Sequence, residues 1–156
     1  MIASILEFIR KLFPRLDGYK SWVSITVTPM NFNMVIVDPI LTHGKFYKCG
    51  ATKNVSPAPI PGTVVKVGHS FNICSCGRFL ALFGSQGRFS MADMNHRGSR
   101  IDSTFGTCLW ASNYRGRNMF ELIHENGLRY TFKIVKHPTL APGTLGYASV
   151  QIIKQT

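Results

Sequence analysis

Apolar and polar residues alternate along most of the chain after residue 21, which is the pattern of strands with one buried face. In the first such segment, 22–28, Val23, Ile25 and Val27 alternate with Trp22 and with hydroxyl residues. Further segments of this kind are 34–40, 42–47, 63–67, 70–76, 88–92, 103–108, 119–124, 129–136 and 146–154. Short strands at this spacing, separated by glycine and proline turns, predict an all-β, single-domain antiparallel β-sandwich or barrel.

The first 16 residues follow a different period. Their apolar positions have the three–four spacing of one helical face and are Ile2, Ile5, Leu6, Ile9, Leu12, Phe13 and Leu16. We therefore assign residues 1–20 to an N-terminal amphipathic helical extension and residues 21–156 to the β-sandwich. Such a helix packs on the body or on a partner, or it lies on a membrane surface.

The chain is strongly basic, with 18 Lys and Arg against seven Asp and Glu, for a formal net charge of +11. This excess favours polyanionic partners, namely anionic lipid head groups or nucleic acid. The segment 114–120 mixes aromatic and guanidinium groups, as binders of single-stranded nucleic acid do. Because no ribonucleoprotein or KH motif accompanies it, single-stranded nucleic-acid binding is the alternative and not the main prediction.

Catalysis, metal and cofactor binding find no support in the residue pattern. The five histidines are scattered, no cysteine spacing matches a zinc site, and no nucleophile elbow is present. We predict a non-enzymatic protein without metal or cofactor. Most of the four cysteines are expected to be reduced and buried, with Cys74 and Cys76 pointing to opposite faces of one strand.

The apolar segment Phe79–Phe83 is the most unusual local feature, because it follows a predicted strand end and lies between Arg78 and Gly84. Five apolar residues in a loop are either buried or in contact with something apolar. A membrane interface fits the second case, since Phe and Leu insert while Arg stays with the head groups.

Several motifs, in this order, resemble the aegerolysin family over residues 21–156. They are Trp22-Val23, His43-Gly44-Lys45 with Gly50, Ser75-Cys76-Gly77-Arg78 after Ile73, Gly84 and Gly87 with Phe89, Cys108 and Trp110 with Ser112, and Gly143-Thr144-Leu145-Gly146 with Val150. The resemblance implies a non-enzymatic β-sandwich that binds membranes rich in sphingolipid, is cytolytic in some members and in others recruits a larger pore-forming partner of the MACPF type. An aegerolysin-fold protein-interaction module without lipid selectivity is the other alternative.

The resemblance also implies a lipid-binding surface, although this chain departs from the family at several positions. His43 stands where the family commonly has Trp, Phe83 where it has Glu, and Asn113 where it has Lys. The residues predicted to contact membrane lipid are Trp110, His43, Phe79, Leu82, Phe83, Asn113 and Arg115. Because no signal peptide is recognisable, we expect release by another route and a peripheral membrane location, with a cytoplasmic location as the alternative.

Overall fold

The computed structural model describes residue 5 and residues 21–50, 61–78, 84–94, 104–112, 117–125, 129–141 and 143–155. The predicted N-terminal helix, except for Ile5, and the predicted boundary at residue 20 lie outside these ranges. The described part of the chain contains no helix with the length and apolar character needed to cross a membrane.

Ten strands form within the described residues, and the all-β sandwich prediction is confirmed. They are β1 Trp22–Pro29, β2 Met34–His43, β3 Lys45–Tyr47, β4 Val64–Val65, β5 Phe71–Cys76, β6 Ser85–Asp93, β7 Thr104–Ser112, β8 Met119–His124, β9 Tyr130–Lys136 and β10 Gly146–Lys154. Strands β6 and β7 have nine residues each and are longer than the predicted segments 88–92 and 103–108, because both strands continue towards the same end of the sandwich.

The strands form two sheets of five, with orders β3-β5-β1-β10-β9 and β4-β2-β6-β7-β8. We call these the first sheet and the second sheet. Neighbouring strands are antiparallel except for β1 and β10, which pair in parallel with Val23 opposite Gly146. The predicted alternation in β1 is confirmed, since Val23, Ile25 and Val27 are fully buried. The inner faces of both sheets supply the main core.

A buried polar group links the two sheets at one end. Asp93, at the end of β6, is 1% exposed and accepts a hydrogen bond from the Tyr130 hydroxyl at 2.6 Å. The Lys154 ammonium lies 2.7 Å from the same carboxylate oxygen. Burial, and then the hydrogen bond and charge of Asp93, raise the pKa of Tyr130 while Arg129 lowers it. Tyr130 and Lys154 belong to the first sheet, so this contact connects both layers.

The cysteine prediction was wrong in two respects. Cys49 and Cys74 form a disulfide, whereas Cys76 and Cys108 are buried thiols. Residues two apart in a strand share a face, so Cys74 and Cys76 both lie on the outer face of β5 and in one cluster with Tyr47. The disulfide ties the residues after the short strand β3 to its neighbour β5.

Reduction of this disulfide is expected to lower the free energy of unfolding by about 2–4 kcal/mol, because a cross-link spanning 25 residues restricts the unfolded chain. Thermal unfolding with and without a thiol reductant measures the effect. The double variant Cys49→Ser/Cys74→Ser is the control and should melt at one temperature in both conditions. An equal melting temperature for the oxidised and reduced wild-type protein would contradict the prediction.

Candidate functional site

Several connections meet at one end of the sandwich, which we call the loop end. It is defined by the positions at which strands stop or resume: His43, Arg78, Gly84, Ser112 and Arg117. The strand pairings bring these positions together, because Ser85 lies opposite Ser112 and Gln86 lies opposite His43. Residues from both sheets contribute to one end, because a Cβ on Gly44 would contact the backbone of both Cys76 in the first sheet and Ser85 in the second.

Close backbone approach at the loop end requires two of the glycines. Gly44 has a φ of 96°, in the left-handed region, and a Cβ there would collide with the carbonyl oxygen of Cys76. A Cβ on Gly84 would collide with the carbonyl oxygen of Ser112. These glycines occur in the motifs that carried the family resemblance, and their function is to allow the turns at this end to pack tightly.

Trp110 does not belong to an exposed lipid-binding surface in this structure, contrary to the sequence-based expectation. Its side chain is 1% exposed, and its indole Nε1 donates to the Ser75 hydroxyl at 3.0 Å and to the Ser85 hydroxyl at 3.3 Å. The predicted strand stopped at Cys108, but β7 continues to Ser112. Trp110 therefore follows Cys108 on the inward face of an unbroken strand.

His43 lies at the loop end, and its side chain is half-buried. The other predicted contact residues, Phe79, Leu82, Phe83, Asn113 and Arg115, lie outside the described residues. Both segments that carry them connect strands whose ends belong to the loop end, since 79–83 joins β5 to β6 and 113–116 joins β7 to β8. The topology thus brings His43 and the flanks of both segments together.

A partly exposed cluster at this end, in which Trp22 is half-buried, was not among the residues predicted from the sequence. The rings of Trp22 and Tyr147 meet edge to face with centroids 5.0 Å apart, and the Lys136 ammonium lies 4.8 Å from the Tyr147 ring centroid. Tyr147 is 57% exposed. We call these three residues the aromatic–lysine cluster. The available signal was an aromatic side chain on the polar face of a strand, as at Trp22 beside Ser24.

A second, smaller group of buried residues supports this cluster from below. Tyr47, Cys74 and Cys76 pack together on the outer face of the first sheet, with Trp22 and Cys49 against them. Burial, followed by the proximity of Cys76 and of Tyr147, raises the pKa of Tyr47 to about 12. The phenol is therefore neutral at physiological pH, and both cysteines of the disulfide pack in the same group as Trp22.

The chemistry of this surface suits contact with a boundary between water and an apolar medium. The described residues contain no group of His, Cys, Asp or Glu that could hold a metal ion. Tryptophan and tyrosine combine an apolar ring with a polar edge, and such residues favour the boundary between hydrocarbon and water. A lysine beside them extends its charge towards head-group phosphate while its methylenes cover apolar surface.

Comparison with known proteins identifies the fold and a family. A model of the aegerolysin family matches residues 20–155. The crystal structure of IP-1A from Alcaligenes faecalis superposes with a TM-score of 0.77 at 28% sequence identity, covering 92% of this chain and 98% of that chain.

Two further crystal structures show the shared fold alone. RahU, in complex with a TRIS molecule, has a TM-score of 0.76 at 21% identity and covers 88% of this chain and 98% of its own. The lipid binding protein Nakanori has a TM-score of 0.52 at 9% identity, covering 99% of this chain and 78% of its own. No curated protein matches the chain in sequence.

Proposed function

The chain belongs to the aegerolysin family, and from this premise we propose that it binds membrane lipid without catalysis, through its loop end. The observation that carries the proposal is the partly exposed aromatic–lysine cluster beside the strand ends that flank segments 79–83 and 113–116. The similarity in fold to the lipid binding protein Nakanori supports it.

Binding combines an apolar and an electrostatic contribution. Phe79, Leu82 and Phe83 supply apolar area, and burial of one such side chain contributes about 1.5–3 kcal/mol. Arg115 and the half-buried His43 meet the lipid head groups, and Arg115, as an arginine near an anionic surface, adds about 1 kcal/mol. Asn113 is the polar head-group contact in place of the family's lysine. Trp22 takes the interfacial position that the sequence analysis gave to Trp110.

The lipid is of the sphingolipid type or carries an anionic head group. We infer that the protein acts peripherally on a membrane after release from the producing cell. Cytolysis, alone or with a MACPF-type pore-forming partner, is the activity that the family resemblance implies for such a binder.

Replacement of Phe83 by Glu is expected to weaken vesicle binding by about ten- to a hundredfold, since moving a carboxylate towards hydrocarbon is costly. Co-sedimentation with sphingomyelin–cholesterol vesicles measures the affinity, and a melting curve on the same sample tests folding. The matched control is Val67→Glu, because Val67 is 47% exposed and lies at the opposite end beside Asn33.

The Val67→Glu control should bind as the wild-type protein does, although it carries the same added charge. Equal binding by a folded Phe83→Glu variant would remove segment 79–83 from the contact surface. If the wild-type protein binds neither sphingolipid vesicles nor anionic vesicles, the lipid-binding function itself is wrong.

A further inference from the structure

The two sheets differ in the charges that their strands carry. The strands of the first sheet contain no Asp or Glu. Every acidic residue among the described ones lies in the second sheet or directly after it: Asp38, Asp93, Glu121 and Glu125. The lysines on the outer face of the first sheet therefore have no carboxylate on the strands of that sheet to neutralise their charge.

Two lysines of β9 on this face are exposed: Lys136, which belongs to the aromatic–lysine cluster, and Lys133. Lys133 lies opposite Gln151, and Lys136 lies opposite Ser149 at a β-bulge that turns its side chain over the Tyr147 ring. The ring contact uses the face of the aromatic system and leaves the ammonium N–H groups available to an anion. The two lysines follow one edge of the face towards the loop end.

The middle of the face is polar and uncharged, so nothing there repels an anionic surface. The Thr26 hydroxyl donates to the Asn72 side-chain oxygen at 2.7 Å, and the Thr28 and Ser70 hydroxyls lie 2.7 Å apart. One pair joins β1 to β5 and the other joins β1 to Ser70, the residue directly before β5, and together they give a hydroxyl-rich surface. Hydrated head groups can approach such a surface closely, because no charged side chain there has to give up its water.

We propose that the outer face of the first sheet is the surface that lies against the anionic head groups of a lipid bilayer, with Lys133 and Lys136 contacting lipid phosphate or carboxylate. This proposal rests on the lipid-binding function above and adds an orientation to it. The loop end inserts, Trp22 and Tyr147 lie at the boundary, and the first sheet tilts towards the membrane. The second sheet, which carries Glu121 and Glu125, faces water.

Charge complementarity selects an anionic bilayer as the occupant of this face. A broad surface with lysines at one edge and aromatic rings at the same end matches a planar layer that offers both charge and an apolar interior. Single-stranded nucleic acid offers the charge, but it requires stacking platforms along a groove. The described aromatic residues of this face instead gather at the loop end.

The test compares two double variants with the same total charge. Lys133→Glu/Lys136→Glu removes the proposed contacts, and the matched control is Lys66→Glu/Arg88→Glu, at two exposed positions in or directly after strands of the second sheet. Binding is measured on phosphatidylserine–phosphatidylcholine vesicles at low ionic strength, about 0.01 M, where electrostatic attraction has a long range. Melting curves verify that both variants are folded.

We expect Lys133→Glu/Lys136→Glu to bind these vesicles about ten- to a hundredfold more weakly than wild type, and the control to lose less than about threefold. The difference should shrink at about 1 M salt. Binding of the first variant to neutral sphingomyelin–cholesterol vesicles should be unchanged, which separates this proposal from the loop-end contact tested by Phe83→Glu.

Equal losses by the two double variants would overturn the proposal, because net charge and not one face would then explain adsorption. A wild-type protein that binds sphingomyelin–cholesterol vesicles but not the anionic ones would overturn it while leaving the proposed function standing. Tighter binding of a single-stranded oligonucleotide than of anionic vesicles, lost in Lys133→Glu/Lys136→Glu, would assign the face to nucleic acid instead.

Discussion

Replacement of Trp110 by Ala is expected to lower the free energy of unfolding by about 3–5 kcal/mol, the range for truncating a fully buried aromatic residue. The indole packs across Gly87, where a Cβ would lie 2.6 Å from its Cζ2 atom, and beside the Phe89 ring with centroids 6.2 Å apart. The variant would leave a cavity between these residues. It would also remove the donor that the Ser75 and Ser85 hydroxyls share.

Urea unfolding followed by fluorescence or circular dichroism measures the loss, and the melting temperature should fall by roughly 10 °C for a chain of this size. Trp110→Phe is the matched variant. It keeps most of the apolar volume and loses the indole N–H, so we expect a smaller loss of about 1–2 kcal/mol.

Vesicle binding distinguishes a core role for Trp110 from a surface role. Well below its melting temperature, Trp110→Phe should bind vesicles as the wild-type protein does. A variant with wild-type stability and lost binding would show that Trp110 contacts lipid after all and that its burial in the core is not its functional state.

Replacement of Asp93 by Ala is the second substitution with a large expected effect, a loss of about 3–5 kcal/mol in the free energy of unfolding. The carboxylate is buried between the two sheets and accepts from the Tyr130 hydroxyl while pairing with Lys154. Its removal leaves a buried hydroxyl and a largely covered ammonium without this acceptor. Leaving such groups unsatisfied costs more than the pair itself contributes.

Two milder variants separate charge from hydrogen bonding. Asp93→Asn keeps the shape and an acceptor for the Tyr130 hydroxyl, and it should lose less than Asp93→Ala. Tyr130→Phe removes one hydrogen bond only, and it should lose about 1–2 kcal/mol. Chemical denaturation of the three variants gives the order of their losses in the free energy of unfolding. An Asp93→Ala variant within about 1 kcal/mol of wild type would mean that the sheets are held by the apolar core alone.

Local pattern predicted the strands well because alternation is a property of neighbouring residues. The alternating segments 22–28, 119–124 and 146–154 correspond closely to β1, β8 and β10. The predicted segments 34–40 and 42–47 became β2 and β3, separated by the turn at Gly44. Family motifs added the sandwich. Their glycines carry information about distant backbone, because a Cβ on Gly44 or Gly84 would collide with a carbonyl oxygen about 30 residues away in sequence.

The errors arose where pairing between strands decided the outcome. Trp110 was expected at the surface because the family resemblance implies a lipid contact there, whereas pairing of β7 with both β6 and β8 extends the strand to Ser112 and turns Trp110 into the core. Cys74 and Cys76 were assigned to opposite faces by a misapplied period, and the partner of Cys74 lies 25 residues away, after a different strand. Disulfide connectivity of this kind follows from the fold and not from spacing.

The sequence by itself determined the fold class, the family, the basic charge and the location of the strands but not all of their ends, because periodicity, turn residues and composition are local or additive quantities. Only the tertiary structure decided which residues share a surface. Trp22 and Tyr147 come from opposite ends of the chain and meet through the parallel pairing of β1 with β10, while the pairing of β9 with β10 brings Lys136 to Tyr147. The separation of the described acids onto the second sheet likewise depends on strand order, which no local pattern encodes.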